Sequence, residues 1–466
     1  MTTRPFFTFP PPRRGEGEAA PTSKKALGQM HRLLLLMTTT TYRAHAFLEA
    51  ARRLDLPVVV GSERSQALAA ANAAGYLTLD FTAPEEATRA IVEFAKAYSI
   101  GGVVAADDDG VILAAMASAA LGLPHNPSAA VAAARDKYRM RQLLAKAGLR
   151  SPRFWHFPMD DDPAAMARRV EYPCVVKPLS LSASRGVIRA DDPGQFVAAW
   201  HRLVAILQQP DNAISSRRAA QEILVERFIP GPEVALEGLL THGKLRVLAL
   251  FDKPDPLDGP FFEETIYVTP SRFPAAVQDE IASCTAEVAS TLGLRHGPVH
   301  AELRVNEQGP WLLEIAPRSI GGLCSRTLRF GDGMSLEELL LRHALGLDVE
   351  ALARERASAG VMMIPIPHAG ILRQVEGQAE AKQVAAVEDI RITIPIGQEV
   401  VPLPEGSRYL GFIFARDRTL ASVESALREA HRRLTFVIMP AEAPQEQVEP
   451  PAPVAPGVEM LPLLGH

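Results

Sequence analysis

Cysteine is scarce in this 466-residue chain: Cys174, Cys284 and Cys324 are the only three, an odd number set far apart. That excludes a disulfide framework and a zinc site of closely spaced ligands, and makes a reducing cytoplasm the natural compartment. A basic surplus is missing too, because 49 Lys and Arg face 54 Asp and Glu for a net charge of -5. An obligate nucleic-acid binder is therefore not expected. The longest apolar run near the N-terminus, Leu33–Met37, is too short to cross a membrane and is followed by four threonines rather than a cleavage site. Neither GxxxxGK nor GxGxxG occurs, so a Walker loop and a dinucleotide fingerprint are both excluded. No fixed-period repeat is present either, which argues against a solenoid or propeller. What the chain does have is length and 47% hydrophobic residues, enough for two or three domains with sizeable cores.

Residues 1–30 and 441–466 are Pro-rich or polar without an apolar face and read as disordered tails. From 31 to 126 short apolar runs (LLLLM, PVVVG, YLTLD, GGVVAAD) alternate with Ala-rich amphipathic stretches. That is the pattern of a small doubly wound parallel sheet whose strand ends, including Thr38–Thr41 and Asp107–Gly110, face a ligand crevice. The break Pro124-His125-Asn126-Pro127 precedes an expected helix from Ser128 to Ala147, with Ser128 as N-cap and Gly148 as stop. Residues 127–350 then read as a strand-rich α+β domain, with helices near 192–208 and 273–292. A smaller α+β domain is expected over 351–440, with a helix at 418–434.

Lys177 ends the apolar strand YPCVVKP and is followed by LSLSASRG, a small-residue loop with one glycine, Gly186. A lysine there calls for an anion, and the loop's serines, Ser184 among them, and its N–H groups suit phosphate oxygens, although an ordinary surface lysine beside a polar loop fits as well. In ILVERFIPGPEVALEGLL, Glu226, Arg227 and Ile229 precede a Pro-Gly-Pro turn and Glu233 opens the next strand. Such a strand end can present backbone groups to a flat heterocycle and a carboxylate to its amine; a hairpin with solvated acids is the plain alternative. The segment HAELRVNEQGPWLLEIAPRSIGG sets Glu302 and Glu314 on two strands. A loop of 306–310 puts them opposite each other on one face, a loop of 306–309 puts them on opposite faces, and Pro310, which cannot donate to a ladder, favours the longer loop. Together they would offer hard oxygen ligands to Mg²⁺ or Mn²⁺. Arg318 follows beside Gly321-Gly322 and offers a planar fork to a phosphoryl or carboxylate group.

Taken in order, RDKYRMRQLLAKAGL, YPCVVKP, VERFIPGPE and the AELRV to LLEIAPR hairpin resemble the ATP-grasp superfamily over roughly residues 31–440. The C-terminal region and DKPDPLDGPFFEETIYVTP further resemble carboxylate–amine ligases that include bacterial L-amino-acid ligases. The resemblance implies a pre-ATP-grasp α/β domain, an ATP-grasp domain and a small C-terminal α+β domain. It places Lys137 and Lys177 on ATP phosphates under a mobile loop, 179–186, and Glu226, Arg227 and Ile229 on the adenine. Glu233 would take the ribose, Glu302 and Glu314 the Mg²⁺, and Arg318 the developing acyl phosphate. The implied reaction joins a small carboxylate, with amino acids the first candidates, to an amine through that acyl phosphate, releasing ADP and phosphate. Two departures stand out: Ala316 replaces the asparagine that many members carry two residues after the second metal-binding glutamate, and the phosphate loop is poor in glycine. Lys253, Glu263, Glu264, His300 and Arg326 are the candidates for recognising the substrates' amine and carboxylate groups. A bicarbonate-using, carboxyphosphate-forming enzyme and an inactive ATP-binding protein are the alternatives. No membrane partner is expected, and a homodimer is the commonest assembly open to such a chain.

Overall fold

The computed structural model of the chain describes residues 31–64, 75–179, 181–209 and 221–440. Both expected tails lie outside these residues, as does position 180 of the expected phosphate loop. No helix among the described residues is long and apolar enough to cross a membrane.

The first sheet is parallel, with β1 (Arg32–Leu36), β2 (Val58–Ser62), β3 (Tyr76–Thr78) and β4 (Ile100–Ala105) in the order β3-β2-β1-β4. The run of leucines in β1 serves two cores because successive side chains leave opposite faces. Leu33 and Leu35 bury with Phe47 and Ala50 of the helix Ala44–Arg53. Leu34 and Leu36 bury with Ile91 and Leu113 of the helices Pro84–Ala97 and Val111–Ala120. Strand order reverses beside β1, so the segments following β1 and β4 open on one crevice, as expected of a doubly wound sheet. The Asp107 carboxylate ties them by accepting from Thr38 N–H at 3.2 Å and Thr41 Oγ1 at 2.7 Å.

The single helix expected over Ser128–Ala147 is two helices, Ser128–Arg135 and Lys137–Lys146, and the first is capped by Pro127 rather than Ser128. Asp136 breaks the run and restarts it, its carboxylate accepting from Arg139 N–H at 3.0 Å. Gly148, at φ +70°, does end the second helix.

Two antiparallel sheets follow. β5 (Phe154–Pro158), β6 (Cys174–Pro178), β7 (Ile188–Ala190) and β8 (Glu222–Arg227) form the sheet β5-β8-β6-β7. Phe196, Trp200 and Leu203 of the helix Pro193–Leu207 pack on it. β9 (Glu233–Thr241), β10 (Lys244–Asp252), β11 (Ile266–Thr269), β12 (Gly297–Asn306) and β13 (Gly309–Ala316) continue the chain, with β14 (Arg329–Phe330) and β15 (Met334–Ser335) a short ribbon beyond them. From the C-terminal region come β16 (Ser358–Ile364), β17 (Gly370–Glu376), β18 (Val387–Ile392), β19 (Glu399–Val400), β20 (Gly411–Asp417) and β21 (Thr435–Met439). Three of these, β16, β18 and β20, extend the central sheet, whose order is β13-β12-β9-β10-β11-β16-β20-β18. One sheet thus runs across the boundary expected at residue 350.

The Pro230-Gly231-Pro232 turn links the two antiparallel sheets and closes against the hairpin. Gly231 sits at φ +117°, and a Cβ there would lie 2.2 Å from the Val305 carbonyl oxygen, so no other residue fits without moving backbone.

Where the first sheet meets the central one, His296 and His343 stack with ring centroids 4.5 Å apart, and His242 lies 6.4 Å from His296. Burial, reinforced by neighbouring histidines, pushes both His296 and His343 down to about 4. An unfolded histidine takes its proton near pH 6.5, so between about 6.5 and 4 the unfolded chain binds more protons than the folded one. Stability is therefore expected to fall as pH is lowered through that window. Melting temperatures measured across it should drop less steeply in a His296→Gln, His343→Gln double variant; an unchanged slope would remove these residues as the cause.

Candidate active site

A cavity of about 570 Å³ opens between the sheet β5-β8-β6-β7, the central sheet and the crevice of the first sheet. Lys137, Lys177, Ser184, Glu226, Arg227, Ile229, Glu233, Glu264, His300, Glu302, Glu314 and Arg318 all line it. Lys253 lies just behind its wall, whereas Glu263 and Arg326 are not part of it. Arg326 instead pairs with Asp389 at 2.9 Å and covers the Phe414 ring at 4.3 Å.

Register in the β12–β13 hairpin is the sharpest of the expectations. Glu302 and Glu314 are paired residues of β12 and β13, so their side chains leave the same face of the sheet. The route differs from the one expected. Asn306 pairs with Gly309 and Val305 with Pro310, which leaves a two-residue turn at Glu307-Gln308 rather than a loop of 306–310. A tight turn of that length would oppose Glu302 to Leu313, but a bulge between residues 302 and 303 adds one residue to β13 and restores the pairing with Glu314. The carbonyl of Leu313 in the bulge accepts from Arg141 Nη2 at 2.6 Å. Pro310, on the edge strand β13, is tolerated there.

Arg141 had no place in the sequence reading. It is fully buried and its Nε also donates to Glu226 at 2.7 Å, while Lys177 Nζ donates to the other Glu226 oxygen at 2.7 Å. Burial opposes ionisation of Glu226, and the two cations more than offset it, holding the carboxyl at about 2. Burial lowers the Lys177 ammonium against the pull of Glu226. The signal that could have found Arg141 is its spacing, one helical turn after Lys137 on the same face. Lys137 itself donates to the Leu181 carbonyl at 3.1 Å and stands 3.3 Å from Glu314.

A second network centres on Lys253, whose side chain is 2% exposed. Its ammonium donates to Glu233 at 2.6 Å and to Glu264, and lies 3.4 Å from Glu302. Burial works against the charge on Lys253, but the three carboxylates raise it well above the ordinary lysine range. Glu264 is shifted up by burial and by its acidic neighbours, while Lys253 and His300 overcome burial to hold Glu302 well below the usual carboxylate range. Oxygen atoms of Glu233, Glu264 and Glu302 come within 4.8 Å of one another. The donor set of the cavity, Glu302 and Glu314 on one face with Glu233 and Glu264 adjoining, is all hard oxygen and fits a small divalent cation.

His300 bridges Glu302, at 3.5 Å from Nε2, to the buried Glu237, at 3.2 Å from Nδ1. Although burial lowers it, hydrogen bonds to both carboxylates raise His300 to about 9. Its stabilising contribution is complete below the unfolded value near pH 6.5 and is lost as pH rises through about 9. Glu237 was also missed, though it shares strand parity with Glu233 and so points to the same side. Arg318 Nη2 donates to Asp108 at 2.9 Å, joining the central sheet to the end of β4. At the hinge, Arg227 N–H donates to the Arg153 carbonyl at 2.8 Å and the Ile229 carbonyl accepts from Arg304 at 3.0 Å.

This arrangement defines a class: a cavity clasped between two antiparallel sheets, with Lys177 from one and Glu302 and Glu314 from the other, is that of the ATP-grasp fold, which this chain adopts. Residues 170–327 match the ATP-grasp domain, 48–125 the ATP-grasp N-terminal domain, and 362–439 the L-amino acid ligase C-terminal domain 2. The crystal structure of L-amino acid ligase from Bacillus licheniformis superposes with a TM-score of 0.73 at 27% identity, over 88% of this chain and 100% of that one. Carnosine synthase 1 of Gallus gallus is 30% identical over 57% of this chain and 30% of its own length. Dapdiamide A synthase of Enterobacter agglomerans is 30% identical over 48% of this chain and 52% of its own. The chain thus spans about a third and about half of the length of these two relatives.

Proposed function

We propose that the protein is an ATP-dependent carboxylate–amine ligase that joins small amino-acid-like substrates through an acyl phosphate. The observation that carries this reading is the pairing of Glu302 with Glu314 on one face, opening on a cavity that also holds Lys137, Lys177 and Arg318. The adenine would lie against the hinge, its edge read by the Arg227 carbonyl and the Ile229 N–H, since the other groups of these two residues are engaged. Glu226, already holding Lys177 and Arg141, orients the first of them toward the phosphates. Glu233 would take the ribose. Glu302 and Glu314 would hold Mg²⁺ or Mn²⁺, which when bound neutralises phosphate charge.

A substrate carboxylate oxygen attacks the terminal phosphorus, the bond to the bridging oxygen breaks and ADP departs. The amine nitrogen then attacks the acyl carbon, phosphate leaves, and the nitrogen gives up a proton. Arg318, paired with Asp108, would steady the phosphoryl oxygens in both steps. The protein's work is positioning and electrostatic stabilisation. Ala316 lines the cavity and offers no ligand atom, so a second cation would rest on phosphate and water oxygens.

The test is a panel of amino-acid pairs assayed for ADP release with mass spectrometry of the product. ADP formation that needs both a carboxylate and an amine supports the assignment. Bicarbonate-dependent ATP hydrolysis without an amine, or ATP binding with no turnover across the panel, would overturn it.

A further inference from the structure

The phosphate loop is poor in glycine, yet it takes a backbone shape that glycine ordinarily supplies. Ala183 and Ser184 sit side by side at φ +56° and +54°. Side-chain-bearing residues hold the left-handed region only where their surroundings over-determine it. One restraint is Lys137, which holds the Leu181 carbonyl. The others come from a part of the chain more than two hundred residues away. Gly186 N–H donates to the Pro404 carbonyl at 2.9 Å, and Arg185 Nε donates to the Glu405 carbonyl at 2.8 Å. Arg202, on the helix behind the loop, grips the Glu405 carboxylate with two bonds, at 2.6 and 2.9 Å. Arg185 Nη2 donates in addition to Gln209 at 2.6 Å.

The turn that supplies these partners is itself tightly made. Gly406 N–H donates to the Pro402 carbonyl at 2.8 Å, and a Cβ on Gly406 would lie 1.9 Å from the Val401 oxygen. A few residues on, Tyr409 lines the cavity. One short segment of the C-terminal region therefore touches the cavity at one end and the loop at the other.

From this geometry we infer that the turn 402–406 is a latch that holds the loop 181–187 in its closed shape, with Glu405, Arg185 and Arg202 as positioning residues. That the latched loop covers nucleotide phosphates rests on the function proposed above. The latch supplies from outside the loop the restraint that the loop's own sequence lacks. It makes closure depend on the C-terminal region being seated.

Arg185–Gly186 is a tryptic bond inside the latched segment, so the latch can be read without any assay of turnover. Full-length protein and its Glu405→Ala and Arg202→Met variants are digested with trypsin, and cleavage after Arg185 is timed by mass spectrometry. A well-formed, partly exposed bidentate ion pair supports an effect of about 5-fold in the open fraction. Cleavage should quicken by about that factor in each variant, not further in the double variant, with melting temperature nearly unchanged. The latched state stays the majority in each variant, so the competent fraction, and with it the apparent KM for ATP, should change by less than about 2-fold, with kcat little changed. Unchanged cleavage in both single variants would overturn the latch. Faster cleavage with no protection by ATP in any of the four proteins would leave the latch standing and overturn the phosphate-covering role.

Discussion

Glu314→Gln is expected to lower ATP turnover by about 10²–10³-fold while leaving the fold intact, an effect of the size found when one electrostatic partner of a developing charge is removed. Glu314 is the cleaner of the two metal-hairpin positions. Its side chain is 35% exposed and its ionic neighbour is the buried Lys137 at 3.3 Å, which keeps the Leu181 carbonyl as acceptor, so an amide of the same shape costs one buried ammonium one of its two partners. Glu302→Gln should match the loss of turnover but also disturb the fold, because Lys253 and His300 both face that carboxylate. The two variants thus separate chemistry from stability. Turnover measured against Mg²⁺ concentration, beside melting curves, is the check. If Glu314→Gln kept wild-type turnover at low Mg²⁺, the paired carboxylates would not be the cation site and the ligase reading would lose its support.

The same hairpin shows how far the sequence could be read. That Glu302 and Glu314 share a face was anticipated, but on the ground that Pro310 belongs to the loop, whereas Pro310 pairs with Val305 inside the ladder. Counting parity assumes an unbroken ladder. The bulge that restores the pairing is invisible to it, because its carbonyl is met by Arg141 from a helix more than a hundred residues upstream. Local patterns fared better where burial on two faces leaves one reading, as in the leucines of β1. They failed at Asp136, where one capping carboxylate divides a helix whose apolar spacing runs through it. The extension of the central sheet by β16, β20 and β18 was not legible either, since strand order is set by long-range pairing. Lys253 and Glu264 were singled out as substrate contacts from their charge and position. In the structure each is bound up with Glu233 and Glu302, residues that arrive from different strands and are unrelated in spacing.

That network carries the second large expectation. Lys253→Met should cost about 3–5 kcal/mol of stability, the range for removing one partner of a buried ionic group. The ammonium is the cation that lets Glu233, Glu264 and Glu302 keep oxygen atoms within 4.8 Å of one another. Methionine fills the space but leaves like charges facing across a buried site, and the carboxyls relieve the repulsion by taking up protons. The sign follows from linkage. In the variant the folded state holds protons that the unfolded carboxylates release near pH 4–4.5, so its stability falls as pH rises above that range. The gap between wild type and Lys253→Met, measured by urea unfolding, should therefore be wide at pH 7.5 and narrow at pH 5. Arg304 also donates to Glu233, at 3.2 Å, so that carboxylate keeps a partner and the burden falls on Glu264 and Glu302. Mg²⁺ should then restore part of the lost stability in the variant, since a cation entering among these oxygens replaces the charge that was removed. Equal unfolding midpoints for the two proteins at pH 7.5 would show that the three acids do not depend on Lys253.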